Sequence, residues 1–198
     1  MRKKSPSLKI KSFVQELTFS YLNREGRRKV RLMFQDEAGF GRINKPKRCW
    51  CVKGLRPCVP CRHIREYRYC YGAVEPMTGA SFFLIMPWCN TEMMSMFLEE
   101  LSKEFPDDDI VLVCDGAGWH RSNDLEIPDN IYLLYLPPAT PEMNPIEQIW
   151  KELRIRGFRN EIFDSLKKVE DRLCFVIQNL LASTVRSITG RQWILDCF

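Results

Sequence analysis

Three acidic residues stand where apolar segments end or begin, and oxygen ligands in such places can hold divalent cations. Asp36 follows Val30-Arg-Leu-Met-Phe-Gln35, in which Val30, Leu32 and Phe34 alternate with Arg31, Met33 and Gln35. Alternation of this kind predicts a strand, with Asp36 on the apolar face and Glu37 on the other. Asp115 follows Ile110-Val-Leu-Val-Cys114, apolar at every position as in a central strand covered on both faces. If the two strands are parallel neighbours, their ends lie about 5 Å apart and both carboxylates emerge at one carboxyl edge. That edge suits a pair of hard cations.

The third acid, Glu147, lies in Pro141-Glu-Met-Asn-Pro-Ile-Glu-Gln-Ile-Trp150. Asn144 as N-cap and Pro145 at the first helical position predict a helix start. Ile146, Ile149, Trp150 and Leu153 then fall at i, i+3, i+4 and i+7, an apolar stripe with Glu147 beside it. Glu147 has two readings. It closes a box with Asn144 and pairs with Lys151 four residues on, or it is the third oxygen ligand.

The elements that must position these acids follow from the same patterns. Tyr67–Val74 and Ala80–Met86, separated by Glu75-Pro-Met-Thr-Gly79, predict a hairpin. A helix is expected from Asn90 to about Phe105 with Met93, Met94, Phe97, Leu98 and Leu101 on one face. Pro106-Asp-Asp-Asp109 is expected as a solvated polar loop, and Ile131–Leu136 as the last strand. From Glu161 one further helix is expected, burying Phe163, Leu166, Val169, Leu173, Val176, Ile177 and Leu180.

Phe34-Gln-Asp-Glu-Ala-Gly-Phe40, Val113-Cys-Asp-Gly-Ala-Gly-Trp-His120 and Leu136-Pro-Pro-Ala-Thr-Pro-Glu-Met-Asn-Pro-Ile-Glu-Gln-Ile-Trp150 resemble the three catalytic blocks of DDE transposases, specifically the bacterial insertion-sequence branch related to mariner elements. The likeness extends to Trp50-x-x-Lys-Gly-x-Arg-Pro57 and Ile188-Thr-Gly-Arg-Gln-Trp-Ile194. Two departures stand out: the gap between Asp115 and Glu147 is shorter than the family's usual one, and Gly116 replaces an Asn. The resemblance implies an α/β, RNase H-like fold, a mixed five-stranded sheet flanked by helices. It also implies that Asp36, Asp115 and Glu147 hold two Mg2+ (or Mn2+) ions for DNA cleavage and strand transfer. A DNA-binding remnant without activity, or another RNase H-like nuclease, are the alternative functions. His120 is expected either to orient Asp115 or to bond backbone as a loop histidine.

The net charge of +5 is unevenly spread. Residues 1–31 carry +8, residues 32–40 carry −2, residues 41–68 carry +8 and residues 69–198 carry −9. Basic stretches around an acidic centre suit a nuclease that must approach a polyanion. The expected division is a basic arm over 1–29 and a catalytic domain over 30–198 that includes a basic hairpin at 41–66. Arg42, Lys45, Lys47 and Arg48, with Lys151 and Arg154 at i+4 and i+7 from Glu147, are the expected phosphate contacts.

Cys49, Cys51, Cys58 and Cys61 have spacing that a structural zinc could use, but the segment also reads as a metal-free turn at Lys53-Gly54, and zinc is not expected. Cys70, Cys89, Cys114, Cys174 and Cys197 are expected as core fillers. No P-loop, HExxH motif or Ser-His-Asp arrangement is present, and no apolar run is long enough for a membrane span. The expected setting is the cytoplasm, nucleoid-associated when bound to double-stranded DNA, with a dimer formed on that DNA. The first 30 residues, with one short helix near Phe13–Leu22, leave no space for a three-helix reader, so an upstream helix-turn-helix polypeptide or frame is an expected partner.

Overall fold

The alternation that begins at Val30 continues through Phe40, so the first strand does not stop at Asp36. It runs from Lys29 to Gly41 (β1) and carries Asp36 in its second half. The structure is a computed structural model that describes residues 12, 28–43, 46–59, 61–138 and 140–196. The basic arm expected over 1–29, apart from residues 12, 28 and 29, the helix expected near Phe13–Leu22, Lys45 and Cys197 fall outside these residues.

β1 pairs antiparallel with β2 (Tyr67–Val74), which pairs antiparallel with β3 (Ser81–Met86). On its other side β1 pairs parallel with β4 (Asp108–Cys114), and β4 with β5 (Ile131–Tyr135). The sheet order is therefore β3-β2-β1-β4-β5, with β2, β1 and β4 at the interior. The forecast of an apolar run covered on both faces holds for β4, whose residues Ile110–Cys114 are all buried.

Each sheet face has its own cover. One is packed by α1 (Thr91–Glu104), whose Met94, Phe97, Leu98 and Leu101 meet Met33, Tyr71, Ile110 and Leu112. Asn90 caps this helix by accepting from Met93 N at 2.9 Å. The other face carries Leu32, Phe34, Phe40, Val111 and Val113 under α2 (Ile146–Gly157) and α3 (Leu166–Gln178). Burial of apolar side chains on both faces, about 25 cal/mol per Å2, supplies the main driving force.

Several expectations are corrected. Asp108 and Asp109 belong to β4 and are not solvated: Asp108 pairs with Arg31, and Asp109 is nearly buried near Arg28. Arg31, on the central strand β1, also reaches Glu75 at 2.7 Å. The single final helix is three: α3, α4 (Ala182–Thr189) and α5 (Gln192–Leu195), and the latter two insert Val185 and Ile194 into the same core. Cys174 is exposed on α3 where a core position was expected, while Cys70 and Cys114 are buried. The segment 42–66 joins β1 to β2 and turns at Lys53-Gly54, with Gly54 at φ 91° and Leu55 N donating to Val52 O at 3.0 Å. Its described flanks pair in no ladder, so the turn sits in an irregular loop. No described helix is long and apolar enough to cross a membrane.

Candidate active site

The parallel ladder ends with Phe34 beside Val113, so Asp36 and Asp115 each follow two residues after the last pair. Asp36 follows the parity of the face covered by α2. On that face Trp150 Nε1 donates to Asp36 Oδ2 at 2.9 Å, which joins β1 to the helix that carries Glu147 in its first turn. Gly72 makes this contact possible. It stands opposite Asp36 on β2, and a Cβ there would come within 2.7 Å of the Trp150 ring.

Electrostatics single out the same spot. Burial pushes the Asp36 carboxyl up to about 7; the Trp150 bond opposes this, and the charges of Glu37 and Glu147 add to it. Glu147 is therefore close enough to be felt at Asp36. Carboxylates whose charges raise one another in this way suit a bound cation, which would lower the cost of ionising them.

Asn144 does not cap α2 through its side chain, contrary to expectation. Pro145 takes the cap position, and the buried Asn144 amide donates to Gln35 O at 2.8 Å. The start of the helix is thus tied to the residue before Asp36. A cap needs an acceptor pointed at the helix N–H groups, but the Asn144 Oδ1 is buried with no hydrogen-bond partner. The capping-box reading of Glu147 loses its first half.

Asp115 lies past the end of β4 with its side chain 57% exposed. Its Oδ1 accepts from Ala117 N at 2.9 Å and lies 2.9 Å from His120 Nδ1. His120 Nδ1 also lies 3.2 Å from the Asp115 carbonyl, the backbone contact expected of a loop histidine. Sequence reasoning missed the other end of the ring. His120 Nε2 sits 2.9 Å from Glu37 Oε1, on the opposite face of β1, and Gln35 Nε2 donates to the same oxygen at 2.9 Å. Burial works against a charge on His120, but the bonds and charges of Glu37 and Asp115 outweigh it and raise its pKa. The signal available in sequence was only that an acid next to Asp36 pointed away from it.

Three oxygen donors of carboxylate type fit Mg2+ or Mn2+ in chemistry, and the raised Asp36 pKa fits in electrostatics. Among the described residues no three Cys, His, Asp or Glu are already gathered around one point. Cys49, Cys51, Cys58 and Cys61 are all exposed, with Cys61 Sγ 3.6 Å from His63 Nε2.

The expected phosphate contacts differ in their freedom. Arg42 is engaged by the fold, donating to Phe163 O at 3.0 Å and pairing with Glu66 at 2.6 Å. Lys47, Arg48, Lys151 and Arg154 line one groove beside the site.

Residues 31–170 match the family model described as DDE superfamily endonuclease. The chain belongs to this superfamily. It is 36% identical over 130 residues to the uncharacterized protein y4pE/y4sA of Sinorhizobium fredii, a match spanning 64% of this chain and 96% of that protein. Among solved structures it is similar to the catalytic domain of Mos1 mariner transposase, at 10% identity and TM-score 0.59, covering 100% of this chain and 94% of the other. It is also similar to a Mos1 paired-end complex with the left transposon end and to one with Mn, each at 14% identity, with TM-scores of 0.64 and 0.65. The likeness covers the whole chain, which spans 62% of the Mos1 chain in either complex. These likenesses show that this DDE superfamily chain has the RNase H-like fold.

Proposed function

We propose that this chain is the catalytic part of an insertion-sequence transposase, which cuts DNA at the element end and joins the freed 3′-hydroxyl to target DNA. The observation that carries the reading is the parallel pairing of β1 with β4, which ends at Phe34 and Val113, two residues before Asp36 and Asp115, with the charge of Glu147 felt at Asp36. Mos1 complexes with transposon ends, with Mn and with Mg support the DNA partner and the metal class.

In this reading Asp36, Asp115 and Glu147 hold two Mg2+ or Mn2+ ions. When bound, such ions activate an attacking oxygen and stabilise a leaving one in an in-line displacement at phosphorus. The protein's own work is positioning. Trp150 fixes one oxygen of Asp36, and His120 with the Ala117 N–H occupies Oδ1 of Asp115, which leaves its Oδ2 unclaimed by either donor. Lys151, one turn beyond Glu147, offers positive charge to the strand that the carboxylates would otherwise repel. A dimer on DNA, and a separate helix-turn-helix reader, belong to the same proposal.

Asp36→Asn tests it. The variant is expected to bind an end-containing duplex, taken from DNA flanking the gene, as the parent does, and to lose nicking in Mg2+. Nicking at the parental rate would remove Asp36 from the site, and binding without nicking by the parent would favour a remnant.

A further inference from the structure

The amide of Asn144 is only half engaged. Its Nδ2 donates to Gln35 O at 2.8 Å, while its Oδ1 is buried with no hydrogen-bond partner in a residue 4% exposed. A half-turn of the amide would not help. Gln35 O can only accept, so Oδ1 in that place would set oxygen against oxygen and leave the amine without an acceptor. A buried acceptor that the fold leaves without a donor marks a place where an ion or a water can be met.

Strand geometry says where this amide lies. Ile110 N donates to Asn130 O at 2.7 Å and Cys114 O accepts from Leu136 N at 2.8 Å, so the even-numbered residues of β4 turn their main-chain groups to β5. The odd-numbered ones therefore turn to β1, and in the register of Phe34 with Val113 the Val113 groups face Met33 and Gln35. The N–H and the carbonyl of a strand residue share a side, so Gln35 O also points toward β4. One further step of the ladder would bring the Asp115 N–H to it. The ladder ends first, and the Asn144 amide takes the carbonyl instead.

Asn144 is thus a wedge between β1 and β4 at the edge where two of the acids emerge. Asp36 is the residue after Gln35, and Asp115 is the residue whose N–H the amide replaces. Glu147 is three residues beyond Asn144, with its N 3.4 Å from Asn144 O. Hard divalent cations accept amide carbonyl oxygens together with carboxylates. A neutral oxygen adds no repulsion where the charges of Glu37 and Glu147 already weigh on Asp36.

We propose that Asn144 Oδ1 is a fourth oxygen donor to the cations that Asp36, Asp115 and Glu147 hold. The proposal rests on the metal-dependent reading above and gives a role to a residue outside its three acids.

The test is calorimetric titration of the whole chain with Mn2+ alone at pH 8. Asn144→Ala removes the oxygen and should weaken binding by about tenfold or more. Asn144→Asp puts a charged oxygen in its place and should bind Mn2+ at least as tightly as the parent. Both variants lose the N–H that holds Gln35 O, so a residue serving only as a wedge would weaken binding alike in the two. That equal loss, or parental affinity in Asn144→Ala, overturns the proposal; melting curves in chelator show that each variant is folded. The two proposals fail separately. Mn2+ binding that survives Asp36→Asn unchanged counts against the three-acid set and, with it, the fourth donor. Binding lost in Asp36→Asn but intact in Asn144→Ala removes Asn144 alone.

Discussion

Asp36 is a carboxyl whose surroundings resist its ionisation. In the unfolded chain it titrates near 3.8, and in the fold near about 7. Between these values the folded state keeps a proton that the unfolded chain has lost, so this group makes stability fall as pH rises from about 4 through about 7, and the loss is complete above that. Asp36→Asn, which removes the penalty, should therefore raise the melting temperature of chelator-treated protein at pH 8 and leave it nearly unchanged at pH 4. A stability gap on the order of a few kcal/mol is expected at the higher pH. Mg2+ should then stabilise the parent and not the variant. A gap that does not change with pH would mean that Asp36 is ionised in the fold without strain. Glu37 belongs to the same scale. It holds His120, which holds Asp115, so Glu37→Ala should weaken Mn2+ binding, measured calorimetrically, by about ten- to a hundredfold, as loss of partners behind a ligand does. Glu37→Gln keeps an acceptor for His120 and should recover most of that loss. Parental Mn2+ affinity in Glu37→Ala would reduce the bridge to packing.

At the scale of elements, the site depends on how closely α2 lies on β1 and β2. Gly72 sets that distance, because Trp150 and Phe83 both occupy the space a Cβ would need. Gly72→Ala should cost about 1–3 kcal/mol in chemical denaturation, as overpacking does, and should shift the Trp fluorescence as the ring leaves Asp36. Unchanged stability and emission would show that the helix can step back without consequence. Much of this arrangement was legible beforehand, for physical reasons. Ile110–Cys114 of β4 is apolar at every residue and Leu32 and Phe34 alternate with Met33 and Gln35, so the two strands followed from hydrophobic pattern, while their parallel pairing was a condition that the family resemblance supplied. The stripe on α2 was equally plain, and Ile146, Ile149, Trp150 and Leu153 are all buried. What did not show was anything decided by a partner distant in sequence. The Asn144 amide prefers a buried carbonyl 109 residues away to a cap, and Asp108 is drawn out of water by Arg31. Nor does the pattern after Leu180 announce two short helices, each too brief to display a periodic face.

For the whole molecule the decisive quantity is where charge resides. The +8 of residues 41–68 is carried by the loop and strand edge that border the groove, and the −9 of residues 69–198 is spread over the rest of the chain. Lysines and arginines that meet phosphate fix orientation and affinity but carry no base sequence. Each phosphate neutralised releases counterions, and about four or five contacts give a log–log salt slope near −4. The chain should therefore bind duplex DNA with that slope, and with less than about tenfold preference, roughly 1.4 kcal/mol, for an element end over random sequence at fixed salt. The double variant Arg48→Ala with Lys151→Ala should make the slope shallower by about 2 and weaken binding to both duplexes equally. Competition titrations at several salt concentrations read all three quantities. A strong preference for the end would require side chains that reach base edges. Loss of that preference in the double variant would place those base contacts in the groove and overturn the assignment of its cations to phosphate.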